Sequence, residues 1–156
     1  DSLRPGAIAA QTPVAEALKN TRENQKIIGI GNGFQILCEM RLLPGGFLLN
    51  KSLNFHEEFV AINFEQEELV LPVSAKFGQF VLFEELSTEQ IVMRYKNGSP
   101  FGKDATDVAA VKSEDGRVLG IFAHPERACQ SWQQSQDGAQ FFHWLETEFA
   151  RKEGDR

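Results

Sequence analysis

Apolar and polar positions follow two different periods along the chain, and the change of period divides it. Residues 6 to 20 carry Val14, Ala17 and Leu18 at the i, i+3, i+4 spacing of a buried helical stripe. Thr12 before Pro13 supplies a cap followed by a first-turn proline, so this helix is expected to restart there. Lys26 to Ile30 is a short β-branched run that predicts a buried strand. Phe34 to Leu43 is mostly apolar and predicts a helix that Pro44-Gly45-Gly46 stops. Strand, glycine-rich turn and helix therefore follow one another directly.

The period shortens after residue 50. Glu58 to Phe64 alternates, with Phe59, Ala61 and Asn63 on one face and Val60, Ile62 and Phe64 on the other. Leu69 to Val73, Phe77 to Phe83 and Gln90 to Tyr95 also predict strands. Asp107 to Val111 and Arg117 to Phe122 predict a hairpin across Glu114-Asp115-Gly116-Arg117. A last helix is expected from Gly138 to Arg151, with Phe141, Phe142, Leu145 and Phe149 inward and Asp137 as cap. Arg151 to Arg156 predicts a charged, frayed tail. No internal repeat is present. The pattern is α/β with strand-rich later parts, one domain over residues 1–150 and a tail over 151–156.

Composition narrows the function classes. Sixteen basic against 22 acidic residues give a formal charge of −6 over 156 residues, which argues against a nucleic-acid partner because phosphate binding needs a basic face. Two cysteines, Cys38 and Cys129, make no secreted disulfide framework, so reduced thiols and a cytoplasmic location are expected. No stretch reaches the roughly 20 apolar residues of a membrane span, and no membrane partner is expected. The chain opens at Asp1 without an initiator Met or a signal segment, as a processed chain or part of a longer one would.

Two features carry chemistry. The first is Gly29-Ile30-Gly31-Asn32-Gly33, where glycines flank the centre of a strand-to-helix turn as in a nucleophile elbow. Such a turn forces its central residue into a strained conformation and points helix N-terminal N–H groups at the reacting centre. Small flanking residues also occur in ordinary glycine turns, so the motif alone leaves both a structural turn and an elbow open. The second is His124-Pro125-Glu126 after the strand ending at Phe122. Here an imidazole could act as general base and acid, oriented by the carboxylate. A plain surface turn is the other reading of that tripeptide.

Taken together, these features resemble the class I glutamine amidotransferases, and most closely the glutaminase family of phosphoribosylformylglycinamidine synthase. The matching stretches are Leu3-Arg4-Pro5-Gly6-Ala7-Ile8-Ala9-Ala10, Gly29 to Glu39, Leu43-Pro44-Gly45-Gly46, Asn50-Lys51-Ser52 with Phe55, and Leu119 to Arg127. Asp137-Gly138 fits as well. They span nearly the whole chain in the family's order.

The resemblance implies a flavodoxin-like three-layer α/β sandwich with the elbow at a strand C-terminus. It also implies a Cys-His-Glu triad that hydrolyses L-glutamine and passes ammonia to a synthetase subunit or domain in purine biosynthesis. No cofactor is implied in this chain; ATP and Mg belong to the synthetase. Carried onto this sequence, Gly31 stands at the nucleophile position, Asn32 offers the backbone oxyanion donor, His124 is the acid/base and Glu126 its orienter. Gln35, Ser52 and Phe55 are candidate glutamine contacts.

Three departures stand out. Gly31 has no side chain where the family has a cysteine, so covalent catalysis is expected to fail. Cys38 lies seven residues along the helix, about 10 Å away, and is better read as core. Further N-terminal strand-helix units and a glycine-rich loop of the family are not carried by this chain. Pro72 to Gly78 replaces a His-Gly-Glu-Gly-type stretch, and Phe55 to Phe59 lacks an expected basic residue. A non-catalytic module that keeps the fold and binds a synthetase is the second function these residues allow.

Overall fold

The computed structural model describes residues 5–21 and 25–149. Leu3, Arg4 and the charged tail from Arg151 lie outside the described residues. The expected helix over 6–20 is two short ones, α1 (Pro5–Ala9) and α2 (Pro13–Lys19), divided at the Thr12 cap, whose Oγ1 accepts from the Ala15 N–H at 3.4 Å. The expected Val14, Ala17, Leu18 stripe is not the buried one. Val14 is 72% exposed and Ala15 is buried instead. The reason is length: two turns at the periphery bury a single small residue, while α1 makes the close approach to the next helix.

Strand β1 (Ile27–Ile30) leads through Gly31 into α3 (Asn32–Glu39). This helix ends at Met40 rather than Leu43, because the Leu42 and Leu43 N–H groups both turn back to the Leu37 carbonyl. A two-stranded ribbon follows, β2 (Gly46–Leu48) with β5 (Gln79–Val81), of which the sequence pattern predicts only the second and then as a longer strand. Strands β3 (His56–Phe64) and β4 (Glu67–Ala75) form a long hairpin. β6 (Ile91–Tyr95), β7 (Val108–Lys112) and β8 (Val118–Ile121) complete a six-stranded sheet of order β1-β8-β7-β6-β3-β4. β1 and β8 pair in parallel and the other neighbours antiparallel, including the expected β7–β8 hairpin.

The layers follow from the register. Gly29 faces Gly120 across β1 and β8, and this bare row lets α3 lie on the sheet. A Cβ at Gly120 would overlap the Phe34 ring, and one at Gly29 would come within 2.5 Å of Leu37 Cδ1. Phe34 then heads a cluster with Phe47 and Phe80, and Phe47 stacks on Phe122. Helix α4 (Gly138–Trp144) continues as a π-helical turn, Leu145–Phe149. It packs Phe141 and Trp144 on Phe64. Phe64 lies beside Met93, Met93 beside Ala110, and Ala110 beside Ile121, so α4 sits on the face opposite Gly120. The result is a three-layer α/β sandwich around a mixed sheet.

The sheet is also curled. The outer edge of β4, far from β8 in strand order, reaches the chain that leaves β8: the His124 N–H donates to the Pro72 carbonyl at 2.8 Å. Proline suits that edge position because it has no N–H to leave unpaired. Asp137 does not cap α4 through its side chain as expected; its carboxylate accepts from the Val70 N–H at 2.7 Å and pins the same edge.

Candidate active site

The site grows from the parallel pair. Ile30 lies opposite Ile121, so β1 and β8 end together, and the Gly31 N–H donates to the Ile121 carbonyl at 2.9 Å. Both exits therefore open at the C-terminal edge of the parallel strands, where α/β sheets gather ligands. Gly31 has φ 55° and ψ −115°, a left-handed conformation that a side chain strains to adopt. Glycine takes it freely. The turn thus has a backbone that suits an elbow and that a glycine turn also adopts.

Across from it stands the imidazole. The position a Cβ would take on Gly31 lies 2.5 Å from His124 Cε1 and 2.9 Å from Nε2, so the ring rests directly over the turn. Its Nδ1 is 2.7 Å from Glu126 Oε1. The His124 side chain is 15% exposed and that of Glu126 42%. Pro125 opens the short 3-10 turn Pro125–Arg127, which places carboxylate and ring on one side. Gly31, His124 and Glu126 are brought together, as their places in the sequence lead one to expect.

Asn32 is the first residue of α3, and its N–H has no intrahelical acceptor because the first turn of any helix leaves its donors open. The same helix end carries partial positive charge toward the turn. Such donors favour negative charge placed beside the turn.

The pocket candidates divide. Gln35 is buried; its Nε2 donates to the Phe77 carbonyl at 2.7 Å, and its side chain closes against Gly6. It is a tether between α1, α3 and the chain before β5, and its amide is already engaged. Ser52 and Phe55 are exposed in the loop between β2 and β3, where Ser52 Oγ accepts from the Asn54 N–H at 3.3 Å. That loop is tied to the site end of the sheet: the Lys51 N–H donates to the Phe101 carbonyl, and Phe101 packs edge-on against Phe122, two residues before His124.

Residues that sequence reasoning missed hold this arrangement. Asn50 is fully buried, and its Nδ2 donates to the Asn54 and Ala75 carbonyls while Oδ1 accepts from the Gly78 N–H. It fixes the loop from within. Its signal is present, since it opens the Asn-Lys-Ser stretch, but a buried asparagine cannot be told from a surface one by type alone. Neither cysteine serves the elbow. Cys38 is buried in the core, and burial pushes its thiol far above the usual range. The Cys129 thiol donates to the Pro125 carbonyl at 3.1 Å and is pushed up by desolvation and then by Glu126. Among the described residues no His, Cys, Asp and Glu group is arranged to hold a metal ion.

Comparison with known proteins shows the family of the whole chain. The CobB/CobQ-like glutamine amidotransferase domain matches over residues 5–148. Phosphoribosylformylglycinamidine synthase subunit PurQ of Lacticaseibacillus paracasei is 40% identical, over 100% of this chain and 76% of its own length. The PurQ subunit of Thermus thermophilus is 34% identical, over 97% of this chain and 77% of its own. The solved structure of PurLQS from Thermotoga maritima superposes with a TM-score of 0.73 at 33% identity, covering 92% of this chain and 71% of that one.

Proposed function

The chain belongs to the CobB/CobQ-like glutamine amidotransferase family, among the glutaminase subunits of phosphoribosylformylglycinamidine synthase, and from that premise we propose that it is a glutaminase component whose nucleophile seat is vacant. L-glutamine would bind with its carboxamide over Gly31. Asn32 would donate its N–H to the carboxamide oxygen, and Ser52 and Phe55 would meet the substrate from the loop above. His124, oriented by Glu126, would take a proton from an attacking group and return it to the departing ammonia.

With a thiol at the turn, sulfur would add to the carboxamide carbon, ammonia would leave, and water would release glutamate from the thioester. Gly31 supplies no sulfur, so the bond to carbon is not made and turnover is absent. The synthetase partner would receive the ammonia, with ATP and Mg bound on that partner and none assigned to this chain. The observation that carries the reading is the imidazole resting over Gly31 with Glu126 behind it.

The same glycine favours a second reading, a non-catalytic module that binds glutamine or stabilises a synthetase. Glutamate release by the unaltered chain and by Gly31→Cys, each with a PurL-type synthetase, separates the two. A knocked-out glutaminase gives release only with Gly31→Cys, at about 100-fold or more over the unaltered chain. A module gives none from either.

A further inference from the structure

Asp137 immediately precedes α4, where a side-chain cap is expected, yet its carboxylate caps no N–H of that helix. Its Oδ2 accepts instead from the Val70 N–H on the outer edge of β4, the strand that ends the sheet order. Two residues further along the same edge, the Pro72 carbonyl accepts from the His124 N–H. The segment that begins with the imidazole and ends with this carboxylate is therefore fastened to one strand edge at both ends.

The segment is also closed on itself. The Gly138 N–H donates to the Ala128 carbonyl at 2.8 Å, and the Ala128 N–H to the Pro125 carbonyl at 2.9 Å. A Cβ at Gly138 would overlap the Pro125 carbonyl oxygen, so the start of α4 rests on the backbone of the Pro125–Arg127 turn. Pro125 and Ala128 are both buried there. A single hydrogen bond at His124 would fix a point and leave the turn free to pivot about it. A second anchor at Val70, joined to the turn through Gly138, removes that freedom.

The pivot matters because it would spoil the aim of the ring. A carboxylate only accepts, so the 2.7 Å contact with Glu126 puts the proton on His124 Nδ1 and leaves the Nε2 lone pair facing Gly31. We propose that Asp137 is a positioning residue for the His124–Glu126 pair: its hold on the Val70 N–H, carried through Gly138 to the Pro125 turn, keeps Nε2 directed at Gly31. What the ring then does rests on the glutaminase proposed above; where it is held does not.

The test reads the ring in the full chain and in two variants. Asp137→Ser keeps a good cap residue before α4 but falls short of the Val70 N–H, whereas Asp137→Asn keeps a carbonyl oxygen to accept it. Ring-nitrogen NMR at about pH 8, where an ordinary histidine is neutral, shows His124 as one tautomer protonated at Nδ1 in the unaltered chain and in Asp137→Asn. Asp137→Ser shows both tautomers. In the Gly31→Cys background with a PurL-type synthetase, Asp137→Ser lowers kcat for glutamate release about tenfold or more at unchanged KM, and Asp137→Asn restores it. Met93→Ala, which thins the buried core at β6, lowers the unfolding midpoint and leaves the ring signals in place. Hydrogen exchange in the unaltered chain gives the Val70 and His124 amides matching protection. A single tautomer kept in Asp137→Ser, a mixture in Asp137→Asn or Met93→Ala, an unchanged kcat, or a freely exchanging Val70 amide overturns the proposal. Gly31→Cys without turnover removes the glutaminase reading alone, and the ring nitrogens still decide the positioning.

Discussion

At Tyr95 a hydroxyl is enclosed without a partner, the only side-chain polar atom so placed among the described residues. Burial pushes its pKa far up, so it stays a neutral group that gives up hydration and recovers no hydrogen bond. Tyr95→Phe removes that loss and keeps the ring. Urea unfolding is therefore expected to show unchanged or raised stability, by up to about 1 kcal/mol, and a loss of stability would show that the hydroxyl has a partner. Gly31 presents the opposite situation. There the residue suits its backbone, since glycine takes a φ of 55° freely. Residue type announces the turn directly. It cannot announce that His124 settles over the turn, because that depends on β8 ending level with β1.

Elements are held by close approach and by turns. Gly120 is the floor on which Phe34 rests, and a methyl group there must displace a ring in the most enclosed part of the core. Gly120→Ala is expected to lower stability by about 1–3 kcal/mol and to move the α3 amide resonances; a neutral result would mean that α3 sits further from the sheet than described. In the β7–β8 turn, Arg117 and then Ser113 hold the Asp115 carboxyl down at about 2, against an ordinary 3.8. A carboxyl lowered by folding stabilises the fold above its unfolded pKa, and that contribution fades as pH falls from 3.8 toward 2. The pair is half exposed, so solvent screening keeps the effect under about 1 kcal/mol. Asp115→Asn should cost that small amount at pH 7 and progressively less as pH falls below 3.8, as measured by denaturation across that range.

Much at this scale is legible in the sequence. The strand–glycine turn–helix unit and the β7–β8 hairpin carry their own punctuation, so β1, β7 and β8 fall within a residue of where the pattern places them, while α3 lies in the expected stretch but starts and ends earlier, over Asn32–Glu39. β2 is not legible because three residues after Pro44-Gly45 show no period, and its partner β5 lies some thirty residues away. The stripe on α2 misleads because spacing reports which residues share a face, not whether anything covers it.

Over the whole molecule, the two ends of the sheet have different characters. One end gathers Gly31, His124 and Glu126 through long-range events: the parallel pairing of β1 with β8, and the curl that brings the Pro72 carbonyl to the His124 N–H. The other end carries an open groove between the end of α3 and the β7–β8 turn, lined by Leu48, Phe83 and charged side chains of both signs. The family stretches point to the first end because their order along the chain survives, while the curl of the sheet leaves no local trace. No helix among the described residues is long and apolar enough to cross a membrane.

We propose that the turn at Gly31 and the His124 imidazole form one reactive centre whose nucleophile position holds no sulfur. A thiol placed there should be within reach of the ring, which swings aside from the position it now takes over the glycine. The most direct measurement is the pH dependence of iodoacetamide alkylation of Gly31→Cys, followed by mass spectrometry and repeated with His124→Ala in the same chain. The expected result is a thiol alkylated at neutral pH at least about tenfold faster than Cys129, with Cys38 silent until unfolding and the advantage lost with His124→Ala. A thiol that reacts no faster than Cys129, or equally fast without the imidazole, would contradict it.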